Sequence, residues 1–246
     1  MPLPRGREVK AFILAAGLGT RLRSLGLDLP KVMVPVGGKP LLEHHLALFR
    51  SQGIREIIIN LHYLPEKITS YFGDGSAFGV RITWSVEPEL LGTAGAVKKM
   101  EHLLQGDRFI VFYGDNLVRL QFAPVLEFHR TRKALATIVL FESTEPWTGG
   151  VVETDAEGRV RRFIEKPDPK QVSTSLISAG IFVLESQVLN EIPAGCFYDF
   201  GKDLFPKLLA AGGPLFAVHP GAYVQDVGTP ERLAKAQQDY EKGLIE

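Results

Sequence analysis

The strand-length apolar run Ala11–Ala15 opens directly into a loop that reads Leu14-Ala15-Ala16-Gly17-Leu18-Gly19-Thr20-Arg21-Leu22-Arg23. Glycines admit positive φ and let backbone N–H groups close on an anion. Ala15, Ala16, Gly17 and Gly19 supply such a backbone with little side chain in the way. Thr20 adds a hydroxyl donor, and Arg21 adds a planar fork of donors suited to phosphate. Pro30-Lys31 brings a second cation further along the same loop. Together these groups could neutralise a triphosphate. Two other glycine-rich motifs fail. The dinucleotide fingerprint needs a third glycine where Leu22 stands, and a helix where Pro30 and Pro35 keep the chain extended. The G-x-x-x-x-G-K-[ST] spacing of the P-loop is absent. Read as a plain turn, the loop would leave Arg21 and Lys31 on a solvated face.

Two carboxylates stand at expected strand ends: Asp115 in Tyr113-Gly114-Asp115-Asn116, and Asp226 in Tyr223-Val224-Gln225-Asp226-Val227-Gly228-Thr229-Pro230-Glu231. Carboxylates at the carboxyl ends of strands can converge on the crevice where open α/β sheets bind ligands. Mg²⁺ favours one or two carboxylates completed by phosphate oxygens and water. Gly114 would leave room for a nucleotide. The second segment also reads as a helix start, with Thr229 as N-cap, Pro230 in the first helical position and Glu231 after it.

Gly17-Leu18-Gly19-Thr20-Arg21-Leu22-Arg23, followed by Pro30-Lys31-Val32-Met33-Val34-Pro35-Val36-Gly37-Gly38-Lys39-Pro40, resembles the signature of the sugar-1-phosphate nucleotidyltransferases. The resemblance covers the chain from Lys10 to about Lys242. It implies a GT-A-like, Rossmann-type α/β fold, a three-layer sandwich with a mostly parallel central sheet and a strand-rich acceptor lobe. It implies an enzyme that condenses a nucleoside triphosphate with a sugar 1-phosphate and releases pyrophosphate. It also implies that Arg21 and Lys31 contact the triphosphate, and that Asp115 and Asp226 bind Mg²⁺. The catalytic set is then Arg21, Lys31, Asp115 and Asp226.

Val86-Glu87-Pro88-Glu89-Leu90-Leu91-Gly92-Thr93-Ala94-Gly95-Ala96 resembles the family's base-binding loop. Glu87, Gly92 and Thr93 join the nucleotide-binding set, with Gly92 and Gly95 fitting a backbone that approaches a flat ring. Glu87 falls where thymidylyltransferases carry a base-reading Gln. A carboxylate only accepts hydrogen bonds. Guanine offers two adjacent donors, whereas uracil and thymine offer one donor between two acceptors. Facing the wrong acceptor would cost about 1–3 kcal/mol. GTP is therefore the preferred donor, as in mannose-1-phosphate guanylyltransferases, with UTP or dTTP the alternative; Glu87 pointing to solvent or to the nucleotide's sugar is the other reading of that residue.

Gly150-Val151-Val152-Glu153 and Phe163-Ile164-Glu165-Lys166-Pro167 resemble the sugar-binding segments. Gly150, Glu165, Lys166 and Ser178 form the sugar-phosphate set. Glu165 can accept from hydroxyls and Lys166 can face the phosphate if the strand ends in a twist. Ser178 departs from the family's Asn-Ala-Gly. Two rival functions stay open at this point. One is a cytidylyl- or molybdopterin-type transferase, disfavoured by Thr20-Arg21-Leu22-Arg23. The other is a silent regulatory subunit that senses a nucleotide-sugar, disfavoured by the presence of all four catalytic residues.

The elements that must position these groups alternate along the chain. Strands are expected at 11–15, 56–60, 80–86, 109–113, 136–141, 150–153, 160–164, 177–184, 215–218 and 222–226. Helices are expected at 40–51, 65–72, 92–104, 123–133, 200–211 and 230–243. Three consecutive isoleucines, Ile57–Ile59, fit a strand covered on both faces. Neither linker nor repeat interrupts this rhythm. It reads as one domain over 1–246, with a nucleotide half at about 10–133 and a sugar-phosphate half at about 134–246.

The 246 residues carry 28 Lys plus Arg and 28 Asp plus Glu. Zero net charge argues against a nucleic-acid partner. No run reaches the ~18 apolar residues of a membrane span, and the N-terminus lacks a signal-peptide pattern, so a cytoplasmic protein is expected. A long C-terminal acyltransferase extension is not expected either. The lone Cys196 rules out an internal disulfide and reads as a semi-buried thiol; the six histidines are scattered and make no zinc-type cluster, and His44 and His45 read as structural or exposed. A homo-oligomer remains open.

Overall fold

The computed structural model describes residues 9–17 and 29–245. The phosphate-loop residues Gly19, Thr20 and Arg21 lie outside the described residues. The chain has the mixed α/β class that its alternation predicts. It forms two compact units, and the division does not fall at one point in the sequence. The first draws on 1–90, Phe112–Arg119 and Tyr223–Glu246; the second on Leu91–Val111 and Leu120–Ala222.

In the first unit, strand Lys10–Leu14 pairs in parallel with Glu56–Leu61, which pairs in parallel with Arg81–Val86. Ile57, Ile58 and Ile59 in the middle strand are all buried, as expected of a strand covered on both faces. Helix Leu41–Ser51 follows a two-residue hairpin made by Pro35–Val36 and Lys39–Pro40. It buries Leu41, Leu42, His45, Leu46 and Phe49, the face its periodicity marks. His44 is buried as well, so both adjacent histidines are structural. A second helix spans Pro65–Phe72, where it is expected.

The first unit also holds a two-stranded ribbon, of which the strand at 222–226 is expected and its partner is not. Asn116–Arg119 pairs antiparallel with Tyr223–Asp226, with Asn116 opposite Asp226. Four residues are too few for period-2 alternation to declare a strand. A compact core of Val36, Leu41, Leu117, Val227, Ala236 and Ile245 packs beneath this ribbon. Helix Pro230–Glu241 closes the unit, with Thr229 accepting from the Arg232 N–H as the expected N-cap.

The second unit is strand-rich. Leu176–Glu185 runs antiparallel to Ala136–Glu142 and to Gly150–Thr154. Gly150–Thr154 forms the expected hairpin with Val160–Glu165. Leu215–Val218 adds in parallel to Ala136–Glu142. Helix Phe122–Arg132 is present, but two other helices differ from expectation. The helix expected over 92–104 ends at Lys99, and Glu101–Leu104 forms a separate turn after Met100. The helix expected from Phe200 begins with one π-type turn, Phe200–Leu204, before the α-helical Phe205–Ala210. Cys196 is exposed, which corrects the semi-buried reading; the loop around Gly195 leaves it uncovered. Among the described residues, no helix is long and apolar enough to cross a membrane.

Candidate active site

The first unit brings Lys31, Asp115 and Asp226 together from three distant stretches of chain. Lys31 rises from a single helical turn, Lys31–Met33, fixed by Pro30. Its Nζ donates to Asp115 Oδ2 at 2.8 Å and to Asp226 Oδ1 at 3.1 Å. The ribbon register explains the meeting of the aspartates. Asn116 lies opposite Asp226, so Asp115, one residue earlier, emerges beside it. The Val227 N–H adds a long contact to the Asp115 carbonyl at 3.4 Å.

Asp226 has further partners. Its Oδ1 accepts from the Gly228 N–H at 2.7 Å, and its Oδ2 accepts from Arg232 Nη1 at 2.6 Å. Burial works against the Asp226 charge, but Lys31 and then Arg232 outweigh it and hold the carboxyl below its ordinary range. Burial likewise opposes the Lys31 charge, and Asp115 and Asp226 outweigh it, leaving the ammonium above its ordinary value. Gly228 makes the arrangement possible. A Cβ there would lie 2.7 Å from Lys31 Nζ and 2.9 Å from Asp226 Oδ1.

His45 backs the ribbon. Its Nε2–H donates to the Asn116 carbonyl at 2.8 Å, and burial pushes its pKa down to about 4. The ring is neutral and serves as a clamp. Gly114 has a packing reason of its own. A Cβ there would lie 2.9 Å from the Leu14 carbonyl and 3.1 Å from Val32, so the glycine is needed for packing against the first strand.

Ala15 and Ala16 are buried at the end of the first strand, and Gly17 is exposed just beyond. Asn60, at the end of the neighbouring strand, ties this backbone to Glu87. Its Oδ1 accepts from the Ala15 N–H at 2.8 Å, and its Nδ2 donates to Glu87 Oε1 at 2.8 Å. Glu87 is 1% exposed, and its carbonyl accepts from His62 Nδ1 at 2.8 Å. The carboxylate is thus a buried, hydrogen-bonded group with one oxygen engaged by an amide.

The remaining expected residues lie in the second unit. Gly92 has φ +73°, and a Cβ on it would lie 2.6 Å from the Tyr198 carbonyl; one on Gly95 would lie 2.6 Å from the Cys196 carbonyl. The close approach that these glycines make within the chain is to backbone 196–198. Thr93 is committed too. Its hydroxyl donates to Asp199 Oδ2 and accepts from the Phe200 N–H, both at 2.9 Å. Glu165 lies over Gly150 and Gly201, with its Oε2 within 3.0 Å of a Cβ built on either. Burial, with the Asp199 charge adding to it, raises the Glu165 pKa. The strand does end in a twist, since Lys166 has φ +47°. Lys166 is exposed. Ser178 Oγ accepts from the Gly180 N–H at 3.2 Å, inside an irregularity of its strand.

The sequence reading missed Arg232, Asn60 and Asp199. Arg232 sits three residues past a readable N-cap, which fixes its backbone next to Asp226. Asn60 is a polar residue ending a buried isoleucine run. Asp199 gives no comparable sequence signal.

The Nucleotidyl transferase family model matches residues 10–243. The chain belongs to the nucleotidyl transferase family. Among its relatives, this nucleotidyl transferase is 39% identical to a UTP–glucose-1-phosphate uridylyltransferase of Synechocystis over 89% of its own length and 60% of the relative's. It is 37% identical to a mannose-1-phosphate guanylyltransferase of Mycobacterium tuberculosis over 96% of its length and 66% of the relative's. The chain thus spans about two thirds or less of the length of these curated relatives. Its fold matches the crystal structure of HddC from Yersinia pseudotuberculosis, also solved in complex with GMP-PN. That match has a TM-score of 0.81 and 29% identity, covering 94% of this chain and 99% of the other. It also matches a putative glucose-1-phosphate thymidylyltransferase from Bacillus anthracis, with a TM-score of 0.83 and 25% identity over 94% of each chain.

Proposed function

We propose that this nucleotidyl transferase condenses a nucleoside triphosphate with a sugar 1-phosphate, giving a nucleotide-sugar and pyrophosphate. The observation that carries the reading is the Lys31 ammonium held between Asp115 and Asp226. A sugar phosphate oxygen attacks the α-phosphorus, and the bond from that phosphorus to the departing pyrophosphate breaks. The attacking oxygen is already anionic near neutral pH, so no general base is needed. Catalysis is then alignment and charge neutralisation. Lys31 meets the α-phosphate charge, and Arg21 meets the leaving pyrophosphate.

Asp115 and Asp226 suit Mg²⁺. One cation already touches both carboxylates, and no group of three or more His, Cys, Asp or Glu competes among the described residues. Two carboxylates completed by phosphate oxygens and water are what this ion favours. Mg²⁺ would supply further charge neutralisation on the phosphates. Arg232 and the Gly228 N–H orient Asp226 for it. Glu165, Lys166, Gly150 and Ser178 bind the sugar phosphate; the Glu165 carboxyl accepts from sugar hydroxyls and the exposed Lys166 pairs with phosphate.

GTP is the proposed donor, supported by the acceptor-only chemistry of Glu87 and by the guanylyltransferase name of the M. tuberculosis relative. The uridylyltransferase name of the Synechocystis relative favours UTP as the second reading. The test is pyrophosphate release with Mg²⁺, crossing five nucleoside triphosphates against a panel of sugar 1-phosphates. A productive pair supports the class and reports the donor. Asp226→Ala and Lys31→Ala should each lose about 10²-fold in turnover. Near-wild-type turnover of either variant would refute its role. Nucleotide binding without turnover on any pair would favour a regulatory subunit.

A further inference from the structure

We propose that the Lys31 ammonium is a built-in counter-ion that holds Asp115 and Asp226 in place and gives them up when a divalent cation enters, freeing itself for the phosphates. The exchange itself stands apart from the proposed function; only the capture of phosphate by the freed lysine rests on that reading.

Lys31, Arg232, Asp115 and Asp226 form a balanced cluster of two cations and two anions. Lys31 Nζ is in contact with one oxygen of each carboxylate, so a divalent ion held by Asp115 and Asp226 would compete with it for them. An ammonium and a divalent ion cannot both sit against those oxygens, because like charges at contact repel strongly in a partly buried setting. One of them must leave, and Lys31 is built to be the one. Its Nζ is the free end of a four-carbon stem.

Asp226 does not depend on Lys31 for its orientation. Arg232 holds Oδ2 at 2.6 Å and the Gly228 N–H holds Oδ1 at 2.7 Å. Its carboxylate therefore stays in place when the ammonium withdraws. Asp115 is fixed at its backbone by the ribbon register with Asp226, and its side chain is 44% exposed, open to an incoming ion. Each aspartate thus keeps its position through the exchange, and only the lysine head moves. The released ammonium then has no carboxylate pair to neutralise it, and phosphate is the anion the proposed reaction brings. The lysine thereby couples metal entry to phosphate binding and keeps the idle carboxylates from taking up stray cations.

The exchange is tested without turnover, by Mn²⁺ binding to the substrate-free protein, read from the loss of the paramagnetic resonance signal of free Mn²⁺. Lys31→Met keeps most of the stem and removes the charge. It should bind Mn²⁺ about 10-fold more tightly than wild type, a conservative figure for removing one competing charge at contact. Adding Asp226→Asn to Lys31→Met should abolish the gain, which locates the ion. Lys31→Arg keeps the charge and should leave the affinity near wild type. If Lys31→Met does not fold, Lys31→Gln gives the same reading with a polar end. Unchanged or weaker Mn²⁺ binding in the neutral variants overturns the proposal, as does a gain that survives Asp226→Asn. The functional reading fails separately. Tighter Mn²⁺ binding with no turnover on any substrate pair leaves the exchange standing and removes the reaction, whereas turnover with no gain in Mn²⁺ affinity does the reverse.

Discussion

Gly228→Ala tests the active-site geometry with a single methyl group. Gly228 is absent from the positive-φ positions, so alanine can adopt its backbone. The cost falls on the neighbours. The added Cβ would meet Lys31 Nζ at 2.7 Å, Asp226 Oδ1 at 2.9 Å and Lys31 Cε at 3.1 Å, where ordinary contact begins at 3.4 Å. Lys31, the flexible partner, can swing clear, but Asp226 is tied by Arg232 and by the Gly228 N–H, so the methyl bears on a carboxylate that keeps its place, and restoring ordinary contact shifts it by about 0.5 Å or more. A misplacement of roughly 1 Å near reacting groups costs on the order of 10²-fold in rate. Turnover should therefore fall between about 10- and 100-fold. Stability should change by less than about 1 kcal/mol, since the disturbed ion pairs are partly solvated. For a chain of this size that is a Tm shift of at most about 4 °C. Pyrophosphate release at saturating substrates and a thermal melt together decide the matter. Wild-type turnover with an intact fold would show that the Asp226 position is irrelevant. A collapse in Tm would show that the backbone, not the carboxylate, yields.

Two buried groups give further expected outcomes. Glu87→Gln keeps an oxygen for Asn60 Nδ2 and turns an acceptor-only group into a donor and acceptor. The ratio of kcat/KM for GTP over UTP should fall about 10-fold in a competition assay, the scale of one mispaired hydrogen bond, and an unchanged ratio would confine Glu87 to its bond with Asn60. His129 is 0% exposed, bonded to Thr137 and Glu185, and pushed down to about 4 by burial and then by the Arg108 charge. A histidine whose folded pKa is depressed costs nothing above its unfolded value near 6.5 and subtracts stability as pH falls from there toward 4. Between pH 7 and 5 this amounts to about 2 kcal/mol. Urea unfolding at both values should show that loss, and His129→Gln should show a smaller one; an equal loss in both proteins would remove His129 as its source.

Much of this was legible in the sequence because the signals were local. The isoleucine run announced a covered strand, and Thr229-Pro230-Glu231 announced a helix start. Lys31, Asp115 and Asp226 were readable by type and order, and the structure brings them together. What stayed hidden depended on pairing. The short strand Asn116–Arg119 makes sense only against Tyr223–Asp226, more than a hundred residues away, so nothing near Asp115 revealed why it meets Asp226. The glycines carry a related ambiguity. Gly114, Gly92 and Gly95 do mark close approaches, but the approaching group is the protein's own chain, and composition cannot distinguish that from a ligand. Glu87 carries both messages. Its type suggested a base reader, while its burial with Asn60 emerges only from the parallel register of two strands.

The separation of the catalytic charges has a consequence for the life of the molecule during synthesis. Lys31 lies 84 residues from Asp115 and 195 from Asp226, so the unit that the chain begins first is completed last. Translation at 5–20 residues per second imposes a wait of roughly 10–30 s between the first 90 residues and the arrival of Arg232. Throughout that interval Lys31 has no Asp226 to meet, and the core of Val227 and Ala236 is missing beneath the ribbon. The cluster of Lys31, Asp115 and Asp226 is therefore incomplete until strand Tyr223–Asp226 and helix Pro230–Glu241 have left the ribosome. The cluster forms in one late step, not gradually along the chain.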